Sequence, residues 1–111
     1  MFFKKKLNWK KVADSISEIP GSAASLGYFE FEGKSICIAL HNGKWHAFSG
    51  TCPHAGAPLH DGDLDAKGQI TCPVHGMVFN IQNGLNTSGE GYHLSCWPLE
   101  QREDGIYLGF K

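Results

Sequence analysis

The chain has 111 residues and a mass of 12.2 kDa, with 41% apolar and 19% charged residues, a composition that suits one packed domain spanning 1–111 and excludes a disordered chain. A formal net charge of −1 excludes the basic footprint on which nucleic-acid binding draws. No apolar run approaches the roughly 18 residues of a membrane span or the roughly 7 of a signal-peptide core, so the expectation is a soluble, cytoplasmic monomer.

In chain order, the basic run of Lys4, Lys5 and Lys6 with Lys10 and Lys11 reads as a mobile, solvated terminus. Residues 12–19 fit a helical turn or a strand equally, with Ile16 and Ile19 leading into Pro20. Beyond them, apolar alternation keeps stopping at Gly, Asn or Asp before a helical period builds up, which predicts an all-β fold of short strands. Phe29, Glu30, Phe31 and Glu32 alternate, Gly33-Lys34 turns the chain, and residues 35–40 (SICIAL) read as a more buried strand. Asn42-Gly43 signals a tight hairpin turn, with Trp45, Ala47 and Phe48 continuing beyond it. Residues 77–81 (MVFNI) predict a strand closed by Asn83-Gly84, and Asp104-Gly105 separates 97–99 from 106–110 as a last hairpin.

Between the strands, residues 50–62 and 71–76 are dense in Pro, Gly, Cys and His and are the candidate functional loops. The first contains Cys52-Pro53-His54 and the second Cys72-Pro73-Val74-His75. Each supplies one thiolate and one imidazole, so Cys52, His54, Cys72 and His75 are the candidate metal and cofactor ligands. A two-iron, two-sulfide cluster with two Cys on one iron and two His on the other can be assembled from such a pair of loops. A tetrahedral zinc site takes the same donors, although zinc modules usually group their cysteines at one end and their histidines at the other. A disulfide between Cys52 and Cys72 is the third arrangement.

The loops C-P-H-A-G-A-P-L (52–59) and C-P-V-H-G (72–76) closely resemble the cluster-binding loops of Rieske proteins. The resemblance extends to Ala47-Phe48, Leu59, Gly62, Phe79, Gly84, Trp97-Pro98 and Asp104-Gly105. It implies an antiparallel Rieske-type β sandwich with a small two-loop cluster-binding subdomain. One 2Fe-2S cluster would be held there by Cys52, His54, Cys72 and His75, with the imidazoles at the surface as the electron's exit. It also implies that Pro73 shapes the second loop and that backbone amides around Gly56 and Gly76 donate to the sulfides.

The function implied is that of a Rieske-type ferredoxin. Such a protein is not an enzyme; it carries single electrons from a flavin-containing reductase to a terminal oxygenase or similar acceptor. The alternative is a small Rieske-like subunit of a larger complex such as assimilatory nitrite reductase. A terminal oxygenase itself needs a second domain with a two-His, one-carboxylate iron site, for which 111 residues leave no room. A respiratory Rieske subunit carries an extra cysteine in each loop, where Ala57 and Val74 stand here. High-potential members carry Ser and Tyr hydroxyl donors where this chain has Met77 and Phe79, which implies a potential in the lower part of the Rieske range.

Cys37 and Cys96 read as buried thiols, and His41, His46, His60 and His93 as unpaired, His60 being a surface residue beside a turn. Asp61, Asp63 and Asp65 form an acidic patch, a solvated face that also suits the steering of a basic partner.

Overall fold

The computed structural model describes residues 6–54 and 56–111; Lys4, Lys5 and Ala55 of the patterns above lie outside them. Its strands are β1 (Asn8–Ala13), β2 (Leu26–Phe31), β3 (Lys34–His41), β4 (Lys44–Ser49), β5 (Asp63–Leu64), β6 (Gln69–Thr71), β7 (Val78–Asn80), β8 (Cys96–Trp97), β9 (Leu99–Arg102) and β10 (Gly105–Phe110). They form three antiparallel sheets in the orders β1-β10-β9, β2-β3-β4-β8 and β5-β6-β7.

β3 explains the layering. An apolar run without alternation is what a strand covered on both faces requires, and Ile36, Cys37, Ile38 and Ala39 are all fully buried. Ile36 and Ile38 pack with Ala47, Leu108, Phe110 and Ile19 on one side of the four-stranded sheet. Cys37, Ala39 and Phe48 pack on the other side with Cys52, Leu59, Ile70, Cys72, Phe79 and Leu94. The four-stranded sheet is therefore the middle layer, and its second face supports the loops that carry the candidate ligands.

The Asn42-Gly43 turn forms as its residues predict, whereas the turn expected at Gly33-Lys34 lies one residue earlier, because Lys34 pairs with Phe31 as the first residue of β3. Glu32-Gly33 and Asn42-Gly43 adopt consecutive left-handed conformations, with φ of 49° and 77° and of 51° and 74°, as a two-residue turn matched to strand twist demands.

The amino-terminal region differs from the expectation. Lys10 and Lys11 belong to β1, which pairs with β10 along Asn8↔Phe110 to Ala13↔Ile106, so this part of the basic run is strand. Each lysine also meets a carboxylate at 2.7 Å, Lys10 on Glu32 and Lys11 on Asp14. Exposed pairs of this kind contribute well under about 1 kcal/mol each, and the ladder to β10 fixes the segment. Residues 12–19 divide between the end of β1 and a 3-10 turn at Ile16–Glu18.

The last hairpin is also displaced. Trp97 and Leu99 sit in different sheets: β8 pairs with β4, whereas β9 pairs with β10. Pro98 lies between them and has no N–H to give a ladder. β5 and β6 have two and three residues, too short to register as a pattern. Among the described residues no helix is long and apolar enough to cross a membrane.

Candidate metal centre

The two loops are closed in the same way. In the first, the Cys52 N–H donates to the Ala57 carbonyl (2.8 Å) and the Gly56 N–H to the Cys52 carbonyl (2.9 Å). In the second, the Cys72 N–H donates to Met77 (2.8 Å) and the Gly76 N–H to Cys72 (3.1 Å). This closure puts Gly56 and Gly76 at φ of 67° and 69°, a region that glycine enters without the penalty borne by other residues. A Cβ at either position would touch nothing within 4 Å, so conformation and not space selects glycine. The N–H groups of Gly56 and Gly76 themselves are engaged in closing the loops. At Cys72 the N–H groups aimed at sulfur are those of Val74 and His75.

Cys52 and Cys72 are 2% and 1% exposed at the floor of the tip, while His54 and His75 are exposed. The imidazoles turn toward one another, with Nδ1 of His54 3.1 Å from Nδ1 of His75 and ring centroids 4.7 Å apart at 71°. Burial pushes the Cys72 thiol up, yet the amides of Val74 and His75 and the neighbouring Cys52 side chain outweigh it and hold the group below the ordinary thiol value. That favours thiolate, the form that binds iron.

The four donors thus divide into a buried sulfur pair and an exposed nitrogen pair. The Cys52 side chain neighbours Cys72 and the two imidazoles face one another. Two pairs suit a two-iron cluster with unlike ends. Cys52 and Cys72 are thiols, not a disulfide.

Sequence reasoning missed the third wall. The Tyr92 ring meets His54 edge-on, with centroids 5.3 Å apart at 61°. The Glu90 carboxylate accepts from Asn86 Nδ2 at 3.0 Å and from the Ser88 hydroxyl, and His54 is among the charges acting on it. The Ser-Gly-Glu-Gly composition at 88–91 marks a turn, but what brings it to the tip is long-range: the closure of 84–94 through Leu94 N–H to Gly84 at 2.9 Å and the bonds from Thr87, Asn86 and Ser88 to Val78.

Other expectations resolve individually. Cys37 is fully buried and its thiol is pushed up to about 12 by desolvation; Cys96 is half-buried and pushed up to about 11. Both are poor nucleophiles. His60 is half-buried at the surface and is not unpaired: it stacks on Tyr28 with centroids 4.3 Å apart and its Nε2 lies 3.5 Å from the Asp61 carboxylate. His41 and His46 lie 6.5 Å apart; burial, with Lys44 and His41, lowers His46. His93 is exposed, in a bridge with Leu85. In the acidic patch Asp65 has a structural task, its Oδ1 accepting from the N–H groups of Lys67 (2.9 Å) and Gln69 (3.0 Å). Asp61 and Asp63 remain exposed.

Fold and loops together define an antiparallel β protein with a mixed thiol and imidazole centre at one tip. The model of the Rieske [2Fe-2S] domain matches residues 8–98, and the chain belongs to this family, whose domain binds a 2Fe-2S cluster. It is 26% identical over 81 residues to the ferredoxin component of the alkene monooxygenase system of Xanthobacter autotrophicus, covering 73% of this chain and 66% of that one. It is 31% identical over 113 residues to the nitrite reductase [NAD(P)H] of Emericella nidulans, covering 92% of this chain but spanning only 10% of that protein. Among solved structures, a chain in the complex of reduced oxygenase and oxidized ferredoxin in carbazole 1,9a-dioxygenase superposes with a TM-score of 0.74 at 28% identity. The match covers 91% of this chain and 92% of that one.

Proposed function

We propose that residues 1–111 act as one domain in which Cys52, His54, Cys72 and His75 hold the 2Fe-2S cluster. In this reading the protein is a cytoplasmic, monomeric ferredoxin that carries single electrons from a flavin-containing reductase to a terminal oxygenase or a similar acceptor. It binds neither membrane nor nucleic acid and is not itself an enzyme. The observation that carries this reading is the separation of the donors into a buried thiol pair and an exposed imidazole pair whose Nδ1 atoms lie 3.1 Å apart. The bound cluster supplies one-electron chemistry. The chain's own residues keep the sulfur side dry and present the nitrogen side to a partner.

The test is compositional and spectroscopic. Purified protein should contain about two irons and two acid-labile sulfides per chain and give a paramagnetic signal on reduction. His54→Ala and His75→Ala should each abolish that signal. A colourless protein holding one zinc, after anaerobic reconstitution, would refute the assignment.

A second reading, a redox subunit of a nitrite reductase, draws on the 31% identity across 92% of the chain. Co-purification with a large reductase from native extract would favour it, whereas a free chain reduced by a separate flavoprotein would favour the carrier.

A further inference from the structure

Residues 85–92 are bonded to Val78 of β7 and reach the candidate ligand His54 through Tyr92, and Glu90 is their only charged side chain. Its position is fixed from two sides. Asn86 Nδ2 donates to the Val78 carbonyl (3.0 Å), to Ser88 Oγ (3.1 Å) and to Glu90 Oε1 (3.0 Å). Ser88 Oγ accepts the Val78 N–H at 2.9 Å while its hydroxyl donates to the same Glu90 oxygen. Val78 opens β7 immediately after the second loop, so the carboxylate is tied to the backbone that carries Cys72 and His75. Two residues on, Tyr92 rests against His54, which ties the other end of the segment to the first loop. Among the described residues Glu90 has no cationic partner in a salt bridge.

A carboxylate is normally free to swing into water, and holding it by two side chains costs conformational entropy. The result is a fixed negative charge two residues from the Tyr92 ring that meets His54, within electrostatic reach of that imidazole. We infer that Glu90 is a positioning residue for charge: held by Asn86 and Ser88, it disfavours the added electron and keeps the reduction potential down. This rests on the assignment of His54 and His75 as ligands. Burial of the centre's floor keeps the interaction from being fully screened, while the exposure of Glu90 makes it sensitive to salt.

Protein-film voltammetry on the cluster-loaded protein tests the inference. Glu90→Gln keeps the shape and an oxygen acceptor for Asn86 and Ser88 but removes the charge, and it should shift the potential upward. The shift should shrink in about 1 M salt, where the screening length falls to about 3 Å. Glu90→Asp should restore most of the wild-type value. Glu100→Gln, which removes the same charge on β9, should leave the potential unmoved. Wild-type potential in a fully loaded Glu90→Gln variant, or an equal rise in Glu100→Gln, would overturn the inference. So would loss of the cluster in Glu90→Gln, since the role would then be structural. Absence of iron and sulfide from the wild-type protein would instead defeat the ligand assignment itself.

Discussion

Gly76 and Gly84 share nearly the same left-handed backbone, with φ of 69° and 78°, but differ in what surrounds them, and replacing each with alanine separates the two effects. At Gly76 a Cβ meets nothing within 4 Å, so Gly76→Ala loses only the conformational term, about 1–2 kcal/mol. At Gly84 the Cβ would lie 2.0 Å from the Leu94 carbonyl oxygen and 3.0 Å from its carbon. That backbone must retreat by about 1 Å before contact becomes tolerable, straining the 2.9 Å bond from the Leu94 N–H to the Gly84 carbonyl. Leu94 is 1% exposed, and a buried backbone group left unpaired costs about 1–3 kcal/mol more. Gly84→Ala should therefore lose about 2–5 kcal/mol in total. Thermal unfolding of equally loaded proteins, followed by tryptophan fluorescence, checks the difference at about 4–8 °C per kcal/mol for a chain near this size. Equal losses for the two variants would refute the reasoning, because the backbone contact at Gly84 would then carry no energy.

Three further outcomes are expected. The folded values of Cys37 and Cys96 lie above the ordinary 9.0, at about 12 and about 11, so their stabilising contribution is complete below pH 9 and is lost as pH rises toward those values; a Cys37→Ala, Cys96→Ala double variant that keeps the wild-type alkaline unfolding slope would contradict this. Asp61→Lys with Asp63→Lys should slow electron transfer to a basic acceptor protein at low salt and matter little at high salt, as stopped-flow mixing would register; Asp65 is left intact because it closes the turn between β5 and β6. Met77→Ser with Phe79→Tyr should raise the potential from the lower part of the roughly −150 to +300 mV Rieske range, which depends on hydrogen bonds to the sulfurs, since Phe79 is fully buried in the same core as both cysteines and a hydroxyl there is shielded from water; voltammetry of the intact double variant that finds no rise would count against it.

How far the sequence predicts the structure depends on whether a signal is local. Asn42-Gly43 and the apolar run of β3 each constrain their own backbone, so hairpin and burial are legible without a partner. The loop motifs are legible because a ligand set needs particular residue types at fixed spacing. β5, β6 and β8 are not, because strands of two or three residues exist only where a neighbour pairs with them. Tyr92 reaches His54, and Glu90 its fixed place nearby, through the contact between Gly84 and Leu94 and the bonds of 86–88 to Val78, and such long-range contacts leave no mark on the residues between. Gly56 and Gly76 are legible from their place in the loop motifs, but which amides close the loop and which face sulfur is set by the folded backbone: the glycine N–H groups close the loops, and the neighbouring Val74 and His75 amides face the Cys72 sulfur.

Pro98 carries a mechanical consequence. It is the single residue by which the chain leaves the middle sheet after Cys96–Trp97 and enters the outer sheet at Leu99–Arg102. Its ring fixes one torsion, and its carbonyl is held by the Gly109 N–H at 3.0 Å. The two layers are stitched together there with almost no slack, so neither can slide along the other without tearing that stitch. Under a pull applied to the carboxy terminus, β10 should shear away from β1 and β9 before the layer that supports the tip is disturbed.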